Sequence, residues 1–166
     1  MKKIYFIILI FILSEKVFAQ SFSGSTSGHM TVSSIMNLRI TSGASIGGIS
    51  LSGVGSLLTG LISSNCASFA VKSNELWLVE VKSTSTVFTP LGLGSLNMPA
   101  SVLGVRVNGT SSFTNLSTTA QTIKTGNRGD ESASGNTFNI DLNFNPGFSY
   151  KGDIYLISLQ YTITKQ

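Results

Sequence analysis

The segment Thr137–Phe144 alternates polar and apolar side chains without a break. Its apolar positions are Phe138, Ile140, Leu142 and Phe144, and its polar positions are Thr137, Asn139, Asp141 and Asn143. Successive side chains of a strand point to opposite faces of a sheet, so this pattern predicts a strand with one buried and one solvated face. Such strands are typical of antiparallel sheets, because parallel strands buried on both faces read as continuous apolar runs.

Three further segments, Leu76–Lys82, Ser101–Asn108 and Asp153–Thr164, show the same two-residue period. Thr89-Pro90 and Thr125-Gly126-Asn127 are interpreted as turns between strands. The pattern predicts an all-β fold, an antiparallel two-sheet sandwich of immunoglobulin-like or fimbrial-like type with about seven to nine strands. The predicted core consists of Trp77, Val79, Val81, Leu103, Val105, Val107, Phe138, Ile140, Leu142, Tyr155, Ile157 and Leu159.

Two segments nearer the amino terminus have less regular patterns. His29–Ile40 carries enough apolar residues to predict a strand with a bulge. In Ile46–Ile62 the apolar residues recur at helical spacing, but Gly53, Gly55 and Gly60 disfavour a stable helix. We therefore interpret this second segment as short strands and loops.

The amino terminus has the pattern of a secretory signal peptide. Lys2 and Lys3 precede the apolar run Ile4–Leu13, and Val17-Phe18-Ala19 places small side chains where signal peptidase reads them. We predict a signal peptide over residues 1–19, a flexible Ser/Gly leader over 20–28 and a single β-sandwich domain over 29–166. The apolar run is shorter than the about 20 residues of a spanning helix. The mature chain is therefore expected to lack a transmembrane segment and to be secreted, to the periplasm or the cell surface.

Charge and composition argue against several classes of function. Residues 20–166 carry a net charge of +2 with scattered basic side chains, which does not indicate a nucleic-acid partner. Cys66 is the single cysteine and is interpreted as a small buried hydrophobe, and His29 is the single histidine. Glu80 and Asp141 are predicted to point outward, and no acidic residues are paired by spacing. We expect no enzymatic activity, no catalytic residues, no cofactor and no metal site.

Two loops hold the candidate ligand contacts. Arg128 and Asp130 flank Gly129 in an integrin-type tripeptide, a three-residue match that also arises by chance. The surrounding loop holds oxygen donors that calcium could use, but their spacing matches no EF-hand loop, and we interpret the segment as a solvated hairpin loop; the donors are Asn127, Asp130, Glu131 and Asn136. Phe148 and Tyr150 follow Asn145-Pro146-Gly147 and are the best candidates for an exposed aromatic surface that binds sugars. The alternative for these rings is packing on their own sheet.

Several segments resemble a known group of proteins. They are Phe69–Asn74 with Trp77, Met98–Ser101, Asn145–Gly147 and Tyr161–Thr164. Over roughly residues 65–166 the chain resembles secreted, largely uncharacterised Bacteroidota β-sandwich proteins. It is also similar, more loosely, to pilus-subunit-like and spore-coat-U-like domains. The resemblance implies an envelope or surface role, in an assembled fibre, and it implies no activity.

The expected function is that of an exported cell-envelope or surface structural or interaction protein, of the kind of a fimbrial-like subunit. Its expected partners are further copies of the chain or other envelope proteins, joined by β-strand addition. The alternative is a carbohydrate- or host-binding adhesin module, with glycans as partners. An unpaired strand edge would favour the first function, and an exposed aromatic strip beside polar loops would favour the second.

Export has a direct test at the amino terminus. Amino-terminal sequencing of the secreted protein is expected to begin at Gln20, free or as pyroglutamate, because cleavage is predicted after Ala19. A secreted protein that retains residues 4–13 would contradict the signal peptide.

Overall fold

The structure is a computed structural model that describes residues 29–43 and 49–166. The predicted signal peptide, residues 1–19, and the predicted leader, residues 20–28, lie outside the described residues. The sandwich is built within Ser33–Gln166. No helix in the described ranges has both the length and the apolar character needed to cross a membrane.

Ten strands and one short helix make up the described elements. In chain order they are β1 Met36–Ser42, α1 Val54–Thr59, β2 Leu61–Ser73, β3 Trp77–Ser83, β4 Thr89–Pro90, β5 Leu103–Val107, β6 Thr114–Asn115, β7 Gln121–Gly126, β8 Thr137–Phe144, β9 Tyr155–Leu156 and β10 Leu159–Lys165. A single 3₁₀ turn, Ala100–Val102, precedes β5.

The strands form three antiparallel sheets. A five-stranded sheet has the order β1-β2-β8-β5-β6, a three-stranded sheet has the order β10-β3-β7, and β4 pairs with β9. The all-β antiparallel sandwich predicted from the alternation is confirmed. The strand count exceeds the expected seven to nine because β4, β6 and β9 contain only two residues each.

The core lies between the five-stranded and three-stranded sheets. Aromatic rings meet across it: the ring centroids of Phe69 and Tyr161 are 4.7 Å apart, and those of Trp77 and Phe138 are 6.4 Å apart. Nine of the twelve predicted core residues are buried, on β3, β5 and β8. The other three, Tyr155, Ile157 and Leu159, pack against the core and remain partly exposed, since they lie at the sheet margin.

The first predicted strand is shorter than expected. Strand β1 begins at Met36, where it pairs with Ser73 at the end of β2, so residues 29–35 have no continuing partner strand. Ile35 is tied instead to Asn74, whose side-chain oxygen accepts its N–H at 2.7 Å. The expected bulge is present, because the β1–β2 register shifts between Ile40 and Ser42.

The interpretation of Ile46–Ile62 as short strands and loops is wrong in its centre. Val54–Thr59 is helical, and residues 44–48 lie outside the described residues. Gly53 and Gly60 border the helix with φ angles of 93° and 76°, so two of the three glycines end the helix rather than interrupt it. Two predicted turns are also corrected, because Thr89–Pro90 forms β4 and Thr125-Gly126 ends β7.

The facing of β8 can be tested in the core. Ile140 is fully buried, and we expect Ile140→Ala to lower the free energy of unfolding by about 2–5 kcal/mol through the cavity it leaves. Thr137→Ala, at an exposed position of the same strand, is expected to change it by about 0.5 kcal/mol or less. Urea denaturation measures both, and a larger effect at Thr137 would mean that the facing is reversed.

Candidate functional site

The loop that carries Arg128 and Asp130 is fastened to the end of β2. The N–H of Gly129 donates to the Ser73 carbonyl at 2.7 Å, and the N–H of Ser73 donates back at 2.9 Å. Asn136 is fully buried, and its Nδ2 donates to the carbonyl oxygens of Gly129 and Asp130. The middle residue of the tripeptide is therefore part of the sheet margin.

The two charged ends of the tripeptide have partners on the chain itself. The Arg128 guanidinium lies 3.9 Å from the Glu75 carboxylate. Oδ1 of Asp130 accepts the hydroxyl and the N–H of Ser132, and these hydrogen bonds hold the pKa of Asp130 below its ordinary value. A receptor that binds Asp130 through this oxygen would compete with Ser132.

Glu131, one of the oxygen donors considered for calcium, turns away from the loop. Its carboxylate lies 2.9 Å from Arg39 and 3.7 Å from Lys72, on the outer face of β1 and β2. Across residues 29–43 and 49–166, no three His, Cys, Asp or Glu side chains are grouped as a metal site requires.

The predicted aromatic pair is divided between solvent and core. Phe148 is 60% exposed, whereas Tyr150 packs against the hydrophobic core and is half-buried. Both follow β8, while Arg128 and Asp130 precede it, and an eight-residue strand spans about 26 Å. The structure therefore does not bring the four predicted contact residues together.

Asp141 is buried, although the sequence pattern predicts that it points outward. It was predicted to point outward to solvent, and its side chain does leave the core face of β8, yet it is fully buried. Three residues of β2, Ser64–Cys66, stand opposite Asp141 alone, since Ser63 pairs with Leu142 and Ala67 pairs with Ile140. This bulge folds over the carboxylate and covers it.

The buried Asp141 carboxylate has three hydrogen-bond donors. Oδ1 accepts the Asn65 N–H at 3.0 Å and Asn108 Nδ2 at 2.9 Å, and Oδ2 accepts Arg106 Nε at 3.0 Å. The Arg106 guanidinium also lies over the Phe113 ring, 4.4 Å from its centroid. The carboxylate therefore joins β2, β5 and β8, which is a structural role.

The same contacts determine the ionisation of Asp141. Burial raises its pKa, but the hydrogen bonds from Asn108, Asn65 and Arg106 and the charge of Arg106 outweigh burial, so the pKa lies below the ordinary value of 3.8. The carboxylate is therefore charged at neutral pH and is held by its donors.

Cys66 and His29, the single cysteine and the single histidine, lie in different surroundings. His29 is exposed, and the half-buried Cys66 thiol donates to the Ser63 carbonyl at 3.0 Å within the β2 bulge. Tyr161 lies near this thiol, and burial together with Cys66 raises the pKa of its phenol. The Tyr161 hydroxyl is buried without a hydrogen-bond partner in the described part of the chain.

Four strands form the outer edges of the two large sheets, and three of them carry features that discourage further pairing. Strand β1 has Arg39 at its centre and a bulge, and β6 has only two residues. Strand β7 contains Lys124, and its pairing with β3 shifts between Val79 and Glu80. Charges, bulges and short length are the usual protections of an edge strand.

Strand β10 is the edge without such protection. Its register with β3 runs through seven residue pairs without a shift, and its one charged residue is Lys165 at the very end, so that Leu159–Thr164 contains no charge, glycine or proline. Strand β1 runs near β10 in the other sheet, but the structure pairs it only with β2. This open edge is the candidate functional site.

The backbone groups presented by this edge follow from the ladder. Gln166 N–H donates to the Leu76 carbonyl and Thr84 N–H donates to that of Ser158, so even-numbered residues bond to β3. Because hydrogen-bonded and non-hydrogen-bonded pairs alternate in antiparallel ladders, the N–H and C=O groups of Leu159, Tyr161 and Ile163 face the open side. Their side chains point inward and are only partly covered.

A comparison with protein-family models found no match for this chain, and a comparison with curated proteins found none either.

Removing the Asp141 charge should destabilise the sandwich. In Asp141→Asn an amide nitrogen replaces one of the two carboxylate oxygens that now accept from three donors, and a hydrogen bond to a charged group contributes about 1.5–3 kcal/mol. We therefore expect Asp141→Asn to lower the free energy of unfolding by about 1.5–3 kcal/mol near neutral pH. The control is Glu80→Gln, which removes a carboxylate that forms no ion pair among the described residues.

The effect of Asp141→Asn should depend on pH with a definite sign. The pKa of Asp141 is lower in the folded state than in the unfolded state, so the carboxylate stabilises the fold at pH values above about 3.8. This contribution is lost as the pH falls through the folded-state pKa. Urea melts of both proteins at decreasing pH should therefore converge at strongly acidic pH. A difference that is independent of pH would contradict the charged state of Asp141.

Proposed function

We propose that the protein is an exported structural or interaction protein of the cell envelope, and that it joins partner chains by β-strand addition at β10. The observation that carries the proposal is the open β10 edge, which lacks the protections present on β1, β6 and β7. Export rests on the sequence pattern of residues 1–19.

The chemistry of the β10 edge suits an added strand. The N–H and C=O groups of Leu159, Tyr161 and Ile163, which have no partner within residues 29–43 and 49–166, offer a regular set of main-chain hydrogen bonds. An added strand would also cover the partly exposed inward side chains of β10, so that hydrogen bonding and apolar burial act together. The first partner we propose is a second copy of this chain.

The alternative function, a carbohydrate- or host-binding module, has weaker support. It depends on an exposed aromatic surface, and Phe148 supplies one exposed ring while Tyr150 packs on the core. Arg128 and Asp130 lie beyond the other end of β8 and contact Glu75 and Ser132. We therefore favour association through the sheet edge.

A lysine on β10 tests the proposal. Thr162 is exposed at the centre of the strand, and an edge lysine discourages strand addition. Sedimentation velocity over a roughly hundredfold range of concentration should show that the wild-type chain self-associates, and that Thr162→Lys weakens this association about tenfold or more.

Thr122→Lys is the matched control. Thr162 on β10 and Thr122 on β7 are both exposed and both pair with Glu80, so either lysine meets the same carboxylate across the sheet. Only the first lies on the open edge. A wild-type chain that stays monomeric throughout, or equal weakening by both lysines, would contradict assembly at β10.

A further inference from the structure

The loop from Leu91 to Asn97 presents large apolar side chains to solvent. Leu91 is 62% exposed, Leu93 95% and Leu96 78%, and the adjoining Ile154 and Leu156 are 64% and 51% exposed. A side chain as exposed as that of Leu93 projects from the surface instead of lining a groove. Apolar groups concentrated on one projecting loop indicate an interaction surface.

The loop is held in place by the segment Lys151–Tyr155. The N–H groups of Gly92 and Gly94 both donate to Oδ2 of Asp153, at 2.9 and 2.6 Å. The Ser95 N–H donates to the Tyr155 hydroxyl at 2.8 Å, and the Leu91 N–H donates to the Ile154 carbonyl at 2.9 Å. The leucines are thus displayed from a loop whose shape is fixed.

Gly94 makes this attachment possible. A Cβ at that position would lie 2.6 Å from Asp153 Oδ2 and 2.8 Å from the Tyr155 hydroxyl oxygen, so only a glycine allows the close approach. Tyr155 in turn donates its hydroxyl to the Lys151 carbonyl at 2.7 Å. With this close approach, the Asp153 carboxylate accepts hydrogen bonds from backbone N–H groups of the loop.

The loop lies within a long uncharged stretch of the sequence. Residues 83–105 contain no Asp, Glu, Lys or Arg. We propose that Leu91, Leu93 and Leu96 insert into the interfacial region of a phospholipid bilayer, with Lys151 beside them at the level of anionic headgroups.

Three features favour lipid over a protein partner. The loop projects, so a fluid phase can receive it without a matching pocket. Four of its seven N–H groups, at Leu91, Gly92, Gly94 and Ser95, already have partners within the chain, which lowers the cost of bringing this backbone near an apolar phase. Its exposed side chains are aliphatic, whereas the residues that dominate protein interfaces are Trp, Tyr and Arg.

Charge complementarity identifies the headgroup. Lys151 is exposed and forms no ion pair among the described residues, while the neighbouring Asp153 is held by the loop backbone. The local surface is therefore apolar with one free positive charge, and apolar side chains beside a basic one are typical of interfacial membrane binding.

Vesicle flotation of the chain from Gln20 to Gln166, the form expected after signal cleavage, tests the proposal. We expect binding to vesicles of phosphatidylethanolamine and phosphatidylglycerol, and a weakening of about tenfold or more in the double variant Leu93→Ser, Leu96→Ser, because burial of a leucine side chain changes an equilibrium constant by at least that factor. The control is Val54→Ser with Leu58→Ser, two positions on α1 that are each 65% exposed. Lys151→Gln should weaken binding to these vesicles and leave binding to phosphatidylcholine vesicles unchanged.

A fluorescent residue in the loop reports insertion directly. Trp77 is fully buried, so in Leu93→Trp the new indole alone should shift its emission to the blue when vesicles are added. An unshifted emission, or equal vesicle binding by the wild type and the double leucine variant, would overturn the proposal. Absence of vesicle binding, with a wild-type dimer that the leucine variant converts to monomer, would assign the surface to a second copy instead.

Discussion

The central position of β8 in the five-stranded sheet is the constraint on which the rest of the structure depends. This strand pairs with β2 on one side and with β5 on the other, so its register fixes both neighbours. Its inner face supplies Phe138, Ile140 and Leu142 to the core, and its outer face places Asp141 under the β2 bulge. A slip of one residue would turn Asp141 into the core and Ile140 out of it, so apolar packing and the buried carboxylate enforce the same register.

The parts of the fold that the sequence predicted are those that depend on local alternation. The two-residue period identified β3, β5 and β8 with their buried faces, because each of these strands has one apolar side. The segment Asp153–Thr164 was expected to be one strand, but the structure divides it into β9 and β10, whose apolar side is only partly covered. The burial of Asp141 could not be predicted in this way, since it arises from Asn65, Arg106 and Asn108, which lie 33 to 76 residues away in the chain. Helix α1 was missed for a related reason, because the effect of a glycine depends on whether it lies inside a helix or at its end.

The edges of the sandwich show where the fold leaves its hydrogen-bonding capacity unused. A two-sheet sandwich must end in edge strands, and here β1 and β7 carry charges within the strand and pair irregularly, while β10 pairs regularly and carries its one charge, Lys165, at its last residue. The sequence predicted the alternation of β10 but not its place at an edge, because an order such as β10-β3-β7 is determined by contacts between distant segments. The candidate site is therefore a property of the topology, and no motif in the chain marks it.

The apolar loop and the open edge are separate consequences of the same carboxyl-terminal segment. Residues 151–156 hold the Leu91–Asn97 loop through Asp153 and Tyr155, and the chain then continues directly into β10. An Asp153 carboxylate that accepts three backbone N–H groups is an internal organiser, and the hydrogen bonds from Ile154, Gly94 and Gly92 keep its pKa below the ordinary value. The loop and the edge are thus connected through one short segment, but they present different chemistry. The loop offers apolar side chains and has four of its N–H groups bonded within the chain, whereas the edge offers the backbone groups of Leu159, Tyr161 and Ile163, whose side chains turn inward. Loss of leucines from the loop should therefore leave strand addition intact, and a lysine on the edge should leave the loop intact.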